Sequence, residues 1–401
     1  MTMKRYILHI ALLACVVGTV LSCGREPASE PVPTPEPEAR YAAIGLATDM
    51  IQSRNPAHQD ASTILSLGIF GYSTGTDNFT GSGEEPNIFD NREATRANAA
   101  ADWIYSPVAY WPLDQSIKNT FFAYSPYTED EDDSEDATYY AYNDNGTPYL
   151  YYEVPGYVSE HLDVLYSEHV TTPDPPNNKV PNVNINYGTN GGEVKYNMKH
   201  ALNWIRFIIA ADREIIGYED DGNGDPDPDQ PIYEDSTAFY LVREFGFFGS
   251  DIITAGTLNM MTGAWEDPKR GTAEYEFDNL TDNAAGGVKL IVGENGNSTS
   301  LTTAAENSLM VFPQDFEQER DGTEVWFAFT YHENSSVTPN PLTDTEYYIT
   351  LPFPDVKLAR PGTVMTYIVK LSRSGSYIEF HSQNTIEEWL NDPTIREKEV
   401  Q

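Results

Sequence analysis

Three stretches of the chain carry residue types that could do chemistry. Gly71-Tyr72-Ser73-Thr74-Gly75 has the G-x-S-x-G spacing of a nucleophile elbow, in which a strand delivers a serine to a strained turn and a helix follows. A strand-like run precedes Ser73, but "TDNFTGSGEEP" comes next and cannot be that helix, so the motif reads as a turn. In "DGNGDPD", Asp221, Asn223, Asp225 and Asp227 stand at alternate positions, where side-chain oxygens can converge on calcium. An EF-hand would place Gly after its third ligand and Glu twelfth; Pro226 and Ile232 stand there, which leaves an incidental calcium site as the one metal candidate. The histidines are scattered, and the closest pair, His161 and His169, has no metal-ligand spacing. No glycine-rich phosphate loop is present. These residues nominate no catalytic site and no cofactor, and the chain is expected not to be an enzyme.

The other reactive side chain is Cys23. Lys4 and Arg5 give a short positive start, Ile7 to Leu21 a mostly apolar segment, and small Ser22 precedes the cysteine. This is the plan of a secretory signal peptide, residues 1–22, since the apolar run is shorter than the roughly 20 residues of a spanning helix. Val20-Leu21-Ser22-Cys23 resembles a bacterial lipobox, so Cys23 is expected to carry acyl chains (palmitate) and to hold the protein on a membrane. The only other cysteine, Cys15, lies inside the removed segment, so the mature chain would have no disulfide and must rely on buried apolar area. Residues 23–40 then form a tether: Gly24 to Arg40 holds five prolines and four glutamates, which polyproline stiffness and like-charge repulsion keep extended.

The whole chain carries a net charge of -38, which repels phosphate backbones and anionic lipid, so nucleic acid is excluded as a partner. From Tyr41 onward the pattern is one of short runs rich in Val, Ile, Thr, Tyr and Phe, separated by Gly, Asn, Asp and Pro. Examples are "TILSLGIFGYS", "TFFAYSPY", "WIRFIIAA", "AFYLVREFGFFG", "VWFAFTYH" and "VMTYIVKLS". They predict an all-β protein of antiparallel sheets. The Pro/Asn/Gly-rich stretch 173–193 suggests a division into domains 41–190 and 191–401.

Several stretches, in order, resemble the fimbrillin family, the lipoprotein precursors of type V pili in Gram-negative gut and oral anaerobes. They are "LGIFGYST", "ADWIYSPVAYWP" with "FFAYSP", "MKHALNWIRFII", "TLNMMTGAW", "LMVFPQDF", and "TYIVKLSRSG" with "NTIEEWL". The resemblance implies two tandem β-sandwich domains of transthyretin-like topology. It implies a surface-exposed lipoprotein of the outer membrane that passes into the fimbrium after a trypsin-like protease cuts behind the first strand. That strand leaves, and a strand from another fimbrial subunit takes its place, an instance of strand addition to an open sheet.

On this chain the expendable strand is Tyr41 to Ile51, with Ile44, Leu46 and Met50 as the core-facing residues. Arg54 lies just beyond it and is the preferred cleavage site; Arg40 is the alternative, although a cut there removes only the tether. At the other end, Ile378 and Phe380 alternate as in a strand, while Ile386, Trp389 and Leu390 are spaced as on a helix. The role as a structural, tip, anchor or other accessory subunit in adhesion stays open. A rival reading is a non-polymerising surface lipoprotein that binds a host glycan or protein through Trp103, Tyr105, Tyr110 and Trp111, for which packing in the core is the plain alternative. An extracellular hydrolase is a third reading with no residues to support it.

Overall fold

The computed structural model describes residues 42–49, 64–129, 137–189, 191–211, 213–278, 280, 287–292, 297–300, 309–339, 344–357, 360–372 and 375–385. The signal segment, Cys23, the tether, Arg40, Met50, Arg54 and the Ile386, Trp389 and Leu390 triad lie outside them.

The predicted strand runs fold as strands, and the described residues contain almost no helix beyond the single turn Gln318–Asp321 and two 3-10 turns. One seven-stranded sheet has the order Gly45–Asp49, Glu193–His200, Leu165–Ser167, Asn119–Ser125, Ser66–Ser73, Phe89–Thr95, Ile104–Tyr105. The first strand thus sits at one edge. A second sheet runs Glu346–Pro352, Glu324–His332, Phe239–Asn259, Thr147–Glu153, Tyr139–Asp144. A third contains Asn297–Ser300, Asn203–Ala211, Thr363–Leu371 and the C-terminal strand Tyr377–Thr385.

Alternation along the central strands divides the interior in two. In Ser66–Ser73, Leu67 and Ile69 enter a smaller core with Ile44, Leu46, Phe121, Ala123, Val194 and Tyr196. Phe70 and Tyr72 point the other way, into a larger core with Phe122, Tyr124, Trp204, Phe245 and Tyr367. Because side chains along a strand face opposite sides in turn, a strand sandwiched between two cores must be apolar at every position, as "LGIFGY" is. The strand also needs its glycine: a Cβ on Gly68 would lie 2.1 Å from the Tyr124 ring.

Among the described residues, backbone pairing crosses residue 190 repeatedly. Glu193–His200 pairs with Gly45–Asp49 and Leu165–Ser167 in the first sheet. The 21-residue strand Phe239–Asn259 pairs with Thr147–Glu153 from Ala255 opposite Glu153 to Asn259 opposite Tyr149. The Pro/Asn/Gly-rich stretch is therefore a long connection whose two flanking strands lie side by side in one sheet.

Candidate functional site: the seat of the first strand

The first strand is held along both of its edges. On one side Gly45–Asp49 runs parallel to Glu193–His200, in the register Gly45 to Glu193, Leu46 to Val194, Ala47 to Lys195, Thr48 to Tyr196 and Asp49 to Asn197. On the other side the chain just before the strand meets residues 109–111. The Ile44 amide donates to Ala109 O at 3.0 Å, the Trp111 amide donates to Ala42 O at 2.9 Å, and Ala43 bridges antiparallel to Tyr110. The Tyr105 hydroxyl adds a bond to Ile44 O at 2.7 Å. Sequence alternation located the strand, but no local signal marks residues 105–111 as its second wall, because that contact is non-local.

Ile44 and Leu46 point into the smaller core at 2% and 8% exposure. Burial of two such side chains contributes roughly 3–6 kcal/mol. The Gly192 carbonyl joins the two walls: it accepts the Gly45 amide at 3.0 Å and the Trp111 indole N–H at 2.8 Å. Trp111 is buried at 2% exposure and meets the Phe121 ring edge-on with centroids 5.7 Å apart. Its ring is thus a packing element of the seat, unavailable for stacking on a sugar. Tyr105 packs edge-on against Phe89, the Arg96 guanidinium covers Trp103 at 4.6 Å, and Tyr110 keeps 55% exposure.

Beneath the strand lies a polar mismatch. The Tyr196 hydroxyl and the Thr48 hydroxyl, on paired residues, are both buried without a hydrogen-bond partner among the described residues. Burial pushes the Tyr196 phenol far above its ordinary range.

The other singled-out residues do not converge on this seat. Ser73 ends its strand in a turn, where its amide and carbonyl bond the Asn87 side chain at 2.7 and 3.0 Å and Gly75 takes a φ of +65°. That arrangement lacks the helix of a nucleophile elbow. Asp221, Asn223, Asp225 and Asp227 fall at the end of the hairpin Ile215–Asp220/Pro226–Tyr233. There Asp221 accepts the Asn223 amide at 2.8 Å and Asp227 accepts the Asp229 amide at 3.0 Å, so these carboxylates fold the loop. The Asn223 bonds hold the Asp221 carboxyl below the usual carboxylate range. Among the described residues no group of three or more His, Cys, Asp or Glu side chains is placed to hold a metal. His161 is bonded to Pro155 O and to the Met310 amide, and His169 lies at a tilt near Phe122, 5.8 Å between centroids.

A mostly β chain whose first strand lies at the edge of its sheet and is clasped on its other side by residues 105–111 is the class that the fold and the seat define. The sequence profile described as Fimbrillin-like matches residues 60–389, and the chain belongs to that family. A fimbrial protein from Bacteroides vulgatus ATCC 8482 superposes with a TM-score of 0.61 at 16% identity, over 86% of this chain and 99% of that one, which shows a shared fold. A proposed cell adhesion protein from Bacteroides uniformis ATCC 8492 matches at TM-score 0.41 and 15% identity, over 88% and 100% of the two chains. The tip fimbrial protein Mfa3 from Porphyromonas gingivalis matches at TM-score 0.32 and 8% identity, over 86% and 99%. A search of curated proteins returns no match.

Proposed function

We propose that this chain is a structural or accessory subunit of surface fimbriae with a role in adhesion, and that it assembles by exchange of its first strand. Lipidation at Cys23 holds the precursor on the outer membrane, residues 23–40 space it from the bilayer, and a trypsin-like protease cuts after Arg54. The body is read as two tandem sandwiches, the first including Glu193–His200.

The observation that carries the reading is the position of the first strand. It is an edge strand of five residues, so its loss breaks one ladder and the few bonds to residues 105–111, and empties the sites of Ile44 and Leu46, without disturbing the strand order of the sheet. A cut behind it turns an intramolecular contact into a bimolecular one. Roughly 3–6 kcal/mol of burial then stands against an association cost of the same order, so the severed strand leaves readily. The emptied seat presents unpaired amides and carbonyls beside an apolar trough, which another strand can fill. A cut at Arg40 would leave the strand covalently in place.

The test uses the chain from Gly24 onward with trace trypsin, followed by intact mass and an unboiled denaturing gel. Cleavage at Arg54 with loss of residues 24–54 and heat-sensitive complexes, formed with itself or with a related fimbrial subunit, supports the reading. Retention of the first strand after cleavage at Arg54 refutes it.

A further inference from the structure

We propose that the seat selects a strand of apolar–glycine–apolar pattern supplied by a different chain, and that it rejects this chain's own C-terminal strand. The inference rests on the exchange reading above and names the partner of the same seat.

The selective position is Gly45. It lies in register with Glu193, and a Cβ added there would stand 3.0 Å from Glu193 Cγ, 3.5 Å from Gly192 O and 3.6 Å from Glu193 Cα. The wall at this point is braced. Gly192 O is held by two donors, the Gly45 amide and the Trp111 indole. Gly192 itself has a φ of +93° and sits so close under Tyr187 that a Cβ of its own would be 2.8 Å from that ring. The Glu193 side chain can swing away from a small intruder, but an acid at the Gly45 position would be its direct cross-strand partner, the arrangement in which like charges destabilise a sheet. An incoming strand is therefore favoured if it brings no side chain, and least of all an acid, between its two apolar residues.

The C-terminal strand fails this criterion in three ways. Aligned by its apolar residues, Ile378-Glu379-Phe380-His381-Ser382 falls on Ile44-Gly45-Leu46-Ala47-Thr48. Glu379 would then take the place of Gly45, adding a Cβ at the tight contact and setting two carboxylates side by side. Phe380 would put a larger side chain where Leu46 is buried at 8% exposure, which costs overpacking. Tyr377–Thr385 is also already paired with Thr363–Leu371 from Lys370 opposite Tyr377 to Thr363 opposite Thr385, so donating it would cost that ladder. A fibre of identical copies joined through this strand is disfavoured at each of these points, and the seat is left for a subunit of another sequence.

The experiment follows uptake of four fluorescent peptides by the chain from Gly24 onward during trace trypsin treatment. They are residues 41–50, the same peptide with Gly45→Glu, residues 377–385, and that peptide with Glu379→Gly; none contains Lys or Arg, so trypsin leaves them intact. The first and fourth are expected to enter at least about tenfold faster than the second and third. Glu193→Ala, at an exposed position, is expected to raise uptake of the unmodified 377–385 peptide. Equal entry of 377–385 and its Glu379→Gly form, or no effect of Glu193→Ala, overturns the selectivity while leaving exchange intact. If trypsin removes the first strand and no peptide enters, exchange itself falls and the selectivity with it.

Discussion

Acid should weaken this protein through His161 in a way that a single substitution removes. The imidazole is gripped from both sides: Nε2 lies 3.0 Å from Pro155 O, and Nδ1 accepts the Met310 amide at 3.1 Å. Tyr275 meets the ring edge-on, 5.2 Å between centroids. One nitrogen must donate and the other accept, which is the neutral ring in a fixed tautomer. Burial is the largest influence and pushes the group down to about 4, against an opposing pull from the Pro155 bond and Asp278. The folded value lies below the unfolded one, so the unfolded chain takes up the proton first as pH falls. The contribution is therefore complete above about pH 6.5 and disappears progressively toward pH 4. A drop from 6.5 to about 4 corresponds to about 3 kcal/mol. The assay is urea unfolding at steps from pH 7.5 to pH 4 for the wild type and His161→Gln. The variant is expected to start about 1–2 kcal/mol less stable, because the Met310 amide loses its acceptor, and then to lose about 3 kcal/mol less over the window. The abundant carboxylates titrate in both proteins and cancel in the difference. Parallel stability curves would refute the assignment of a buried neutral imidazole.

Three further outcomes are expected. Leu46→Ala in the uncut chain should cost about 2–4 kcal/mol by thermal or urea unfolding, and a loss under about 1 kcal/mol would mean that its site is poorly filled. Tyr196→Phe deletes a buried hydroxyl without a partner, so stability should hold or rise by about 1 kcal/mol; a loss of that size would reveal a partner for the hydroxyl. Gly68→Ala drives a methyl into the Tyr124 ring and should cost about 2–3 kcal/mol or abolish soluble expression, whereas an unchanged melting temperature would show that the two central strands can part at no cost.

The amino-acid sequence by itself determined where strands form. Runs such as "WIRFIIAA" and "VMTYIVKLS", buried at nearly every position, declare a strand through their β-branched and aromatic residues and short length, whereas at the first strand alternation of side-chain direction adds which face is core. The same alternation identified Ile44 and Leu46 as core residues, and both are buried. Tertiary structure alone decided which strands meet. Nothing near Gly45 in the sequence announces a parallel partner at Glu193 or a second wall at Ala109 to Trp111, some 150 and 65 residues away respectively. Nor does composition distinguish a tryptophan that binds from one that packs; Trp111 became a packing residue only when Gly192 O and Phe121 closed around it. The long connection at 173–193 read as a boundary because its residues favour turns, yet strands on either side of it pair in one sheet. Turn propensity is a property of the few residues that hold it, whereas pairing is settled by the burial and hydrogen bonding of segments that the sequence keeps far apart.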